Sequence, residues 1–132
     1  MAYEISNYSL RITLEAAADL SASQYCFVKL DANGKAALCT AVTDKPIGVL
    51  QNQPVAGKEA AIVVEGGTKL KVGTGGVTVG DRVGTVITTG QAVPYVPGTD
   101  TTKYLVGTVL QTGAANELVP AVVSCASAGR GA

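Results

Sequence analysis

Histidine and tryptophan are absent from this chain, and phenylalanine occurs once in 132 residues. Without histidine the commonest general base and metal ligand is missing. Cysteine is scarce as well. Cys26, Cys39 and Cys125 form no Cys-x-x-Cys pair, which excludes the usual zinc motif, and three thiols do not make a disulfide framework. They read as buried free thiols. Gly73-Thr74-Gly75-Gly76 is glycine-rich, but no Gly-Lys-Ser/Thr follows it, so it is a turn and not a phosphate loop. Asp31, Asp44 and Asp81 are isolated turn residues, too scattered to cage calcium. The residues therefore supply no catalytic group, no metal site and no cofactor site, and the chain is not expected to be an enzyme.

Charge is also thin. Ten basic residues balance ten acidic ones, and no basic block exists to neutralise phosphates, which argues against nucleic acid as a partner. No apolar run approaches the roughly 18 residues of a membrane helix. The first residues, MAYEISNYSLRITLE, lack a basic stretch followed by an apolar one, so the expectation is cytoplasmic synthesis without membrane insertion. Only 15% of residues are charged while 47% are hydrophobic, mostly Ala and Val. A surface this poor in charge implies that part of it is covered by another protein.

Short strands dominate what remains. Tyr8, Leu10, Ile12 and Leu14 alternate with Ser9, Arg11 and Thr13, the period of a half-buried strand. Tyr3 and Ile5 keep that period in the opposite phase, so the chain bends near Ser6-Asn7. Ala16 to Leu20 is long enough for one helical turn only. Residues 25–30 and 35–40 flank Asp31-Ala32-Asn33-Gly34, whose Asn-Gly suits a tight hairpin turn. A four-residue loop there pairs Cys26 with Cys39. A three-residue loop places Cys39 opposite Phe27. Further strands are expected at 46–51, 60–65, 68–72, 82–88, 91–96, 104–111 and 118–125, with Val77-Thr78-Val79-Gly80-Asp81 turning into 82–88. About ten short strands with a turn every 8 to 12 residues predict an all-β fold, a small β-barrel or β-sandwich with an extended N-terminal arm. The expected organisation is an arm over 1–15, partly strand, a single barrel-like domain over 16–126, and a flexible tail over 127–132.

One internal echo stands out. Ile47-Gly48 matches Val106-Gly107, and Ile62-Val63-Val64 roughly matches Ala121-Val122-Val123, both at a spacing of 59 residues. A duplicated hairpin and a chance match in a Val/Gly-rich chain both account for it. Gly48 and Gly107 mark places where strands bend or another backbone comes close.

Over roughly residues 16–125 the chain resembles the cement, or decoration, proteins of tailed-phage capsids. The resemblance rests on Tyr25-x-Phe27-Val28-Lys29 before the turn at Gly34, Pro46-Ile47-Gly48-Val49-Leu50-Gln51-Asn52, Ala56-Gly57 before Ala61-Ile62-Val63-Val64, Gly80-Asp81, Thr89-Gly90-Gln91-Ala92 and Val106-Gly107. It implies a β-barrel-like structural protein on the outer capsid surface of a virion, made in the host bacterial cytoplasm. Its partners would be the major capsid protein, whose subunits it bridges, and itself, as a homotrimer. Tyr3, Ile5, Tyr8, Leu10, Ile12 and Leu14 are then candidate contacts to a capsid subunit or a sister copy by strand addition. Residues 8–14 read equally well as an ordinary strand of the chain's own barrel. Tyr95 and Tyr104 bracket the longest late loop and are candidate anchors. The rival reading is a β-sandwich module of the virion that binds a host surface or glycan. One Phe and five Tyr supply an aromatic platform poorly.

Overall fold

A computed structural model of the chain describes residues 9–86 and 88–130. Its elements are eleven short strands: β1 (Leu10–Glu15), β2 (Phe27–Leu30), β3 (Ala36–Leu38), β4 (Gly48–Leu50), β5 (Glu59–Lys71), β6 (Arg82–Thr85), β7 (Ala92–Pro94), β8 (Tyr104–Leu105), β9 (Gly107–Val109), β10 (Leu118–Ser124) and β11 (Gly129–Arg130). The fold is all-β, and no helix occurs among the described residues. Nine strands form one sheet in the order β3-β2-β4-β5-β10-β9-β6-β7, with β1 also on β5. The sheet curls within each half, where Ala16 bridges Ala36 and Val72 bridges Ala92, and loop bonds tie the two halves together. The Phe27 amide donates to the Gly90 carbonyl at 2.8 Å and the Thr88 amide to the Thr40 carbonyl at 2.9 Å. Such closure leaves little unpaired edge.

The strand order is a palindrome, and the pairing registers show why. Val49 faces Val63 and Leu50 faces Ile62 in β4–β5, while Thr108 faces Val122 and Val109 faces Ala121 in β9–β10. Val28 faces Leu38 in β2–β3, and Val83 faces Pro94 in β6–β7. Phe27 faces Val49, and Arg82 faces Thr108. Thr13 and Leu14 of β1 lie opposite Ala61 and Ala60, just as Lys69 and Leu70 of β5 lie opposite Pro120 and Val119. Turn bonds repeat too. Ile47 N–H donates to Val28 as Val106 N–H does to Val83, and Lys58 N–H to Val55 as Glu117 N–H to Ala114. Some left-handed residues correspond as well: Tyr25 with Gly80, Gly34 with Gly90, and Gly57 with Asn116. The echo at Gly48 and Gly107 is therefore a duplication running the length of the fold. The first half is β1 to the start of β5. The second is the end of β5 through β10.

This explains the length of β5. Two strands separated by Gly66-Gly67 are expected from sequence, yet β5 runs unbroken from Glu59 to Lys71. Its first part closes one half and its second part opens the next. Val123 and Val122 of β10 pair opposite Gly66 and Gly67, so the ladder carries the strand through residues that otherwise favour a turn.

Other expectations are revised. Ala16 to Leu20 makes no helical turn; Ala16 bridges Ala36 and the chain then bends. The hairpin loop has three residues, since Asp31 N–H donates to Lys35 O. Cys39 consequently lies across from Phe27, to whose carbonyl its amide donates at 3.1 Å. The tail expected over 127–132 is pinned as far as Arg130, where β11 pairs with β8.

The core falls into two clusters. One holds Ala16, Leu20, Val28, Ala36, Leu50, Ala60 and Ile62 inside the first half. The larger one lines the second half with Leu70, Val72, Val83, Val106, Val109 and Val119, and it also takes in Phe27, Cys39, Val49 and Val63 from the first half. The first half thus uses both faces: one for its own core and one as a lid on its neighbour.

Candidate contact surface

No group of three or more His, Cys, Asp or Glu side chains among the described residues is placed to hold a metal. The three thiols are free and buried. Burial, reinforced by Asp44, pushes Cys39 up to about 12. Burial, reinforced by Glu65, pushes Cys125 up to about 12 as well. Burial also raises Cys26. All three stay protonated at neutral pH, which denies them nucleophilic character.

Tyr3, Ile5 and Tyr8 lie outside the described residues. Leu10, Ile12 and Leu14 sit on β1, which pairs with β5 of the same chain. Ile12 and Leu14 pack against the first-half core, while Leu10 remains 41% exposed. The own-strand alternative therefore holds for Leu10 to Glu15. Tyr95 is half-buried, and its amide donates to the Arg82 carbonyl at 2.7 Å. Tyr104 packs on the larger core cluster and carries the Arg130 guanidinium 5.3 Å from its ring centre. That cation–π contact fastens β11 over β8 and is worth about 0.5–1 kcal/mol at an exposed site. The structure does not gather these residues into one site.

A patch not anticipated from sequence lies on the outer face of the second half. Along β10 the side chains alternate strictly, and Leu118, Pro120 and Val122 face outward. Val122 is 50% exposed. With Arg82, Leu105 and Thr108 it lines a shallow groove of about 310 Å³. The alternation Leu-Val-Pro-Ala-Val-Val-Ser was the available signal. With apolar residues in both phases, it does not reveal which face is open.

Local charges brace the loops. Asp44 accepts from Lys29 Nζ at 2.9 Å and from the Thr40 and Ala41 amides at 2.9 and 3.0 Å. Asp100 plays the corresponding part in the second half, accepting from the Val96 amide at 2.8 Å. Partial burial pushes the Asp44 carboxyl up, but the Lys29 and amide hydrogen bonds outweigh it and hold it below its ordinary 3.8. A carboxyl depressed by folding stabilises the fold above its unfolded value and loses that contribution as pH falls through the folded one. Asp44→Asn is expected to lower stability by about 1.5–3 kcal/mol at pH 7, the range for hydrogen bonds to a charged group. It should also flatten the decline in stability below pH ~4. Urea titrations at stepped pH measure both.

The described chain is thus an all-β protein of two like halves closed into a barrel-like layer. Among solved structures, the N base of the head fiber gp8.5 in bacteriophage phi29 is similar. The likeness covers 89% of this chain and 95% of that one, at 18% identity and a TM-score of 0.64. It is a likeness of fold and spans both halves. No sequence-family model matches the chain, and no curated protein matches it in sequence.

Proposed function

We propose that this chain is a structural protein of a phage virion. In this reading it binds the outer surface of an icosahedral capsid as a homotrimer and stabilises the shell by bridging major capsid subunits. The observation that carries the reading is the fold shared with a phage head-fiber base over nearly the whole of both chains. The cement-protein resemblance of residues 16–125 points to the same place, the phage head. The physical demands agree. A protein that braces a shell needs a rigid body and contact surfaces, and no active site. The closed sheet supplies the first and the low-charge exterior the second. Symmetric copies of such a body suit the local symmetry of a shell.

Co-sedimentation tests the reading. The purified chain is expected to pellet with intact capsids of its source phage and not with glycan-coated beads. Retention on glycan beads alone would favour the host-surface module instead.

A further inference from the structure

We propose that the outer face of the second half binds the first half of a second copy of this chain, head to tail, in the geometry by which the two halves of one chain already meet. The inference deepens the self-association in the proposed function and is independent of its capsid part.

The template is the joint inside the chain. Phe27, Cys39, Val49 and Val63 on the outer face of the first half are all 0% exposed, because they close over the core of the second half. Backbone bonds register that joint: Phe27 N–H to Gly90 O at 2.8 Å, and Lys71 N–H to Tyr25 O at 3.0 Å. The duplication maps the four lid residues onto Arg82, Tyr95, Thr108 and Val122 in the second half. Among the described residues none closes over these four as the lid closes over the second-half core; Arg82 and Val122 are exposed, and Tyr95 and Thr108 half-buried. Three of the four line the shallow groove on this face.

The first half shows the matching deficit. Leu70 and Val106, which the lid covers, are 0% and 2% exposed. Their counterparts Leu14 and Ile47 are only half-buried and lie at the edge of the first-half core. One half has an uncovered core edge and the other an unused lid. No single copy brings the two together, but two copies in sequence do.

A glycine pair carries the same asymmetry. A Cβ on Gly90 would lie 2.7 Å from Leu38 Cδ1 and 2.8 Å from the Phe27 carbonyl oxygen, so the joint needs glycine there. Its counterpart Gly34 has nothing within 4 Å of such a Cβ. In the proposed contact, Gly34 meets Arg82 and Pro94 of the neighbouring copy. Arg82 N–H then donates to Gly34 O, and Glu15 N–H to Gly80 O.

Composition fits a surface that meets water before it meets a partner. Phe27 and Val49 of the permanent lid become Arg82 and Thr108 in the open one, and Arg and Tyr are enriched at protein contacts. The interface joins unlike surfaces, so copies close into a ring when the rotation between them closes.

Sedimentation velocity on the full chain tests this with two variants. Gly34→Asn adds a side chain into open space, at a left-handed position that Asn tolerates. Val122→Arg alters a half-exposed outward residue. Wild type is expected to sediment as an oligomer. Each variant should sediment as a monomer and still unfold in one cooperative transition, with a midpoint that no longer depends on protein concentration. Mixed one to one, each variant retains one intact face, so a heterodimer and nothing larger should form. A monomeric wild type would overturn both this interface and self-association. A wild-type oligomer that survives either substitution, or variants that stay monomeric when mixed, would overturn the interface and leave self-association standing.

Discussion

Phe27→Ala is expected to cost about 3–5 kcal/mol of folding stability, the range for truncating a buried aromatic. Phe27 is the largest side chain with no exposure, and it belongs to the cluster that joins the two halves. Its loss opens a cavity where the first half covers the second, and neither half collapses easily because β5 runs through both. At a slope typical of small domains, the urea midpoint should fall by on the order of 2 M. Arg82 occupies the corresponding place in the second half and is exposed. Arg82→Ala should leave monomer stability within about 0.5 kcal/mol. Equal losses at the two positions would mean that the halves do not meet as described.

Gly48→Ala and Gly107→Ala should both destabilise by about 1–3 kcal/mol or more, the range for overpacking. A Cβ on Gly48 would lie 2.4 Å from both Ile62 Cγ2 and the Val63 carbonyl oxygen. On Gly107 it would lie 2.6 Å from the Val122 carbonyl oxygen. A flexible side chain can yield, but a paired backbone carbonyl in a central strand cannot. Gly67→Ala is the control. It sits in β5 with nothing within 4 Å and should be neutral or stabilising by about 0.4–1 kcal/mol. If all three behave alike, close strand approach is not what selects glycine at 48 and 107.

Much of the fold was legible in the sequence. Period-two alternation marked β1, and Asn33-Gly34 marked the β2–β3 hairpin, where a tight turn needs a left-handed residue. The repeat was only half legible. Spacing stays at 59 between β4–β5 and β9–β10, where the echo is visible. Between β2–β3 and β6–β7 it shortens to 55 or 56, because the loop before β9 is longer than the one before β4. A fixed spacing therefore loses the match over half of each unit. Chemistry hides it further, since Phe27 corresponds to Arg82 and Cys39 to Tyr95. These positions face a protein core in one half and the outside in the other. The same difference kept the outer face of β10 illegible, because no local pattern tells which of two identical scaffolds lacks a cover. Gly66-Gly67 misled for a related reason: what keeps it extended is β10, more than 50 residues away in sequence.

Cryo-electron microscopy of the source particle, with and without this protein, tests the central claim most directly. The account predicts density for the two-halved body outside the shell, bridging neighbouring capsid subunits, and particles that lose stability when the protein is missing. Shells identical in density and stability with and without it would contradict the account.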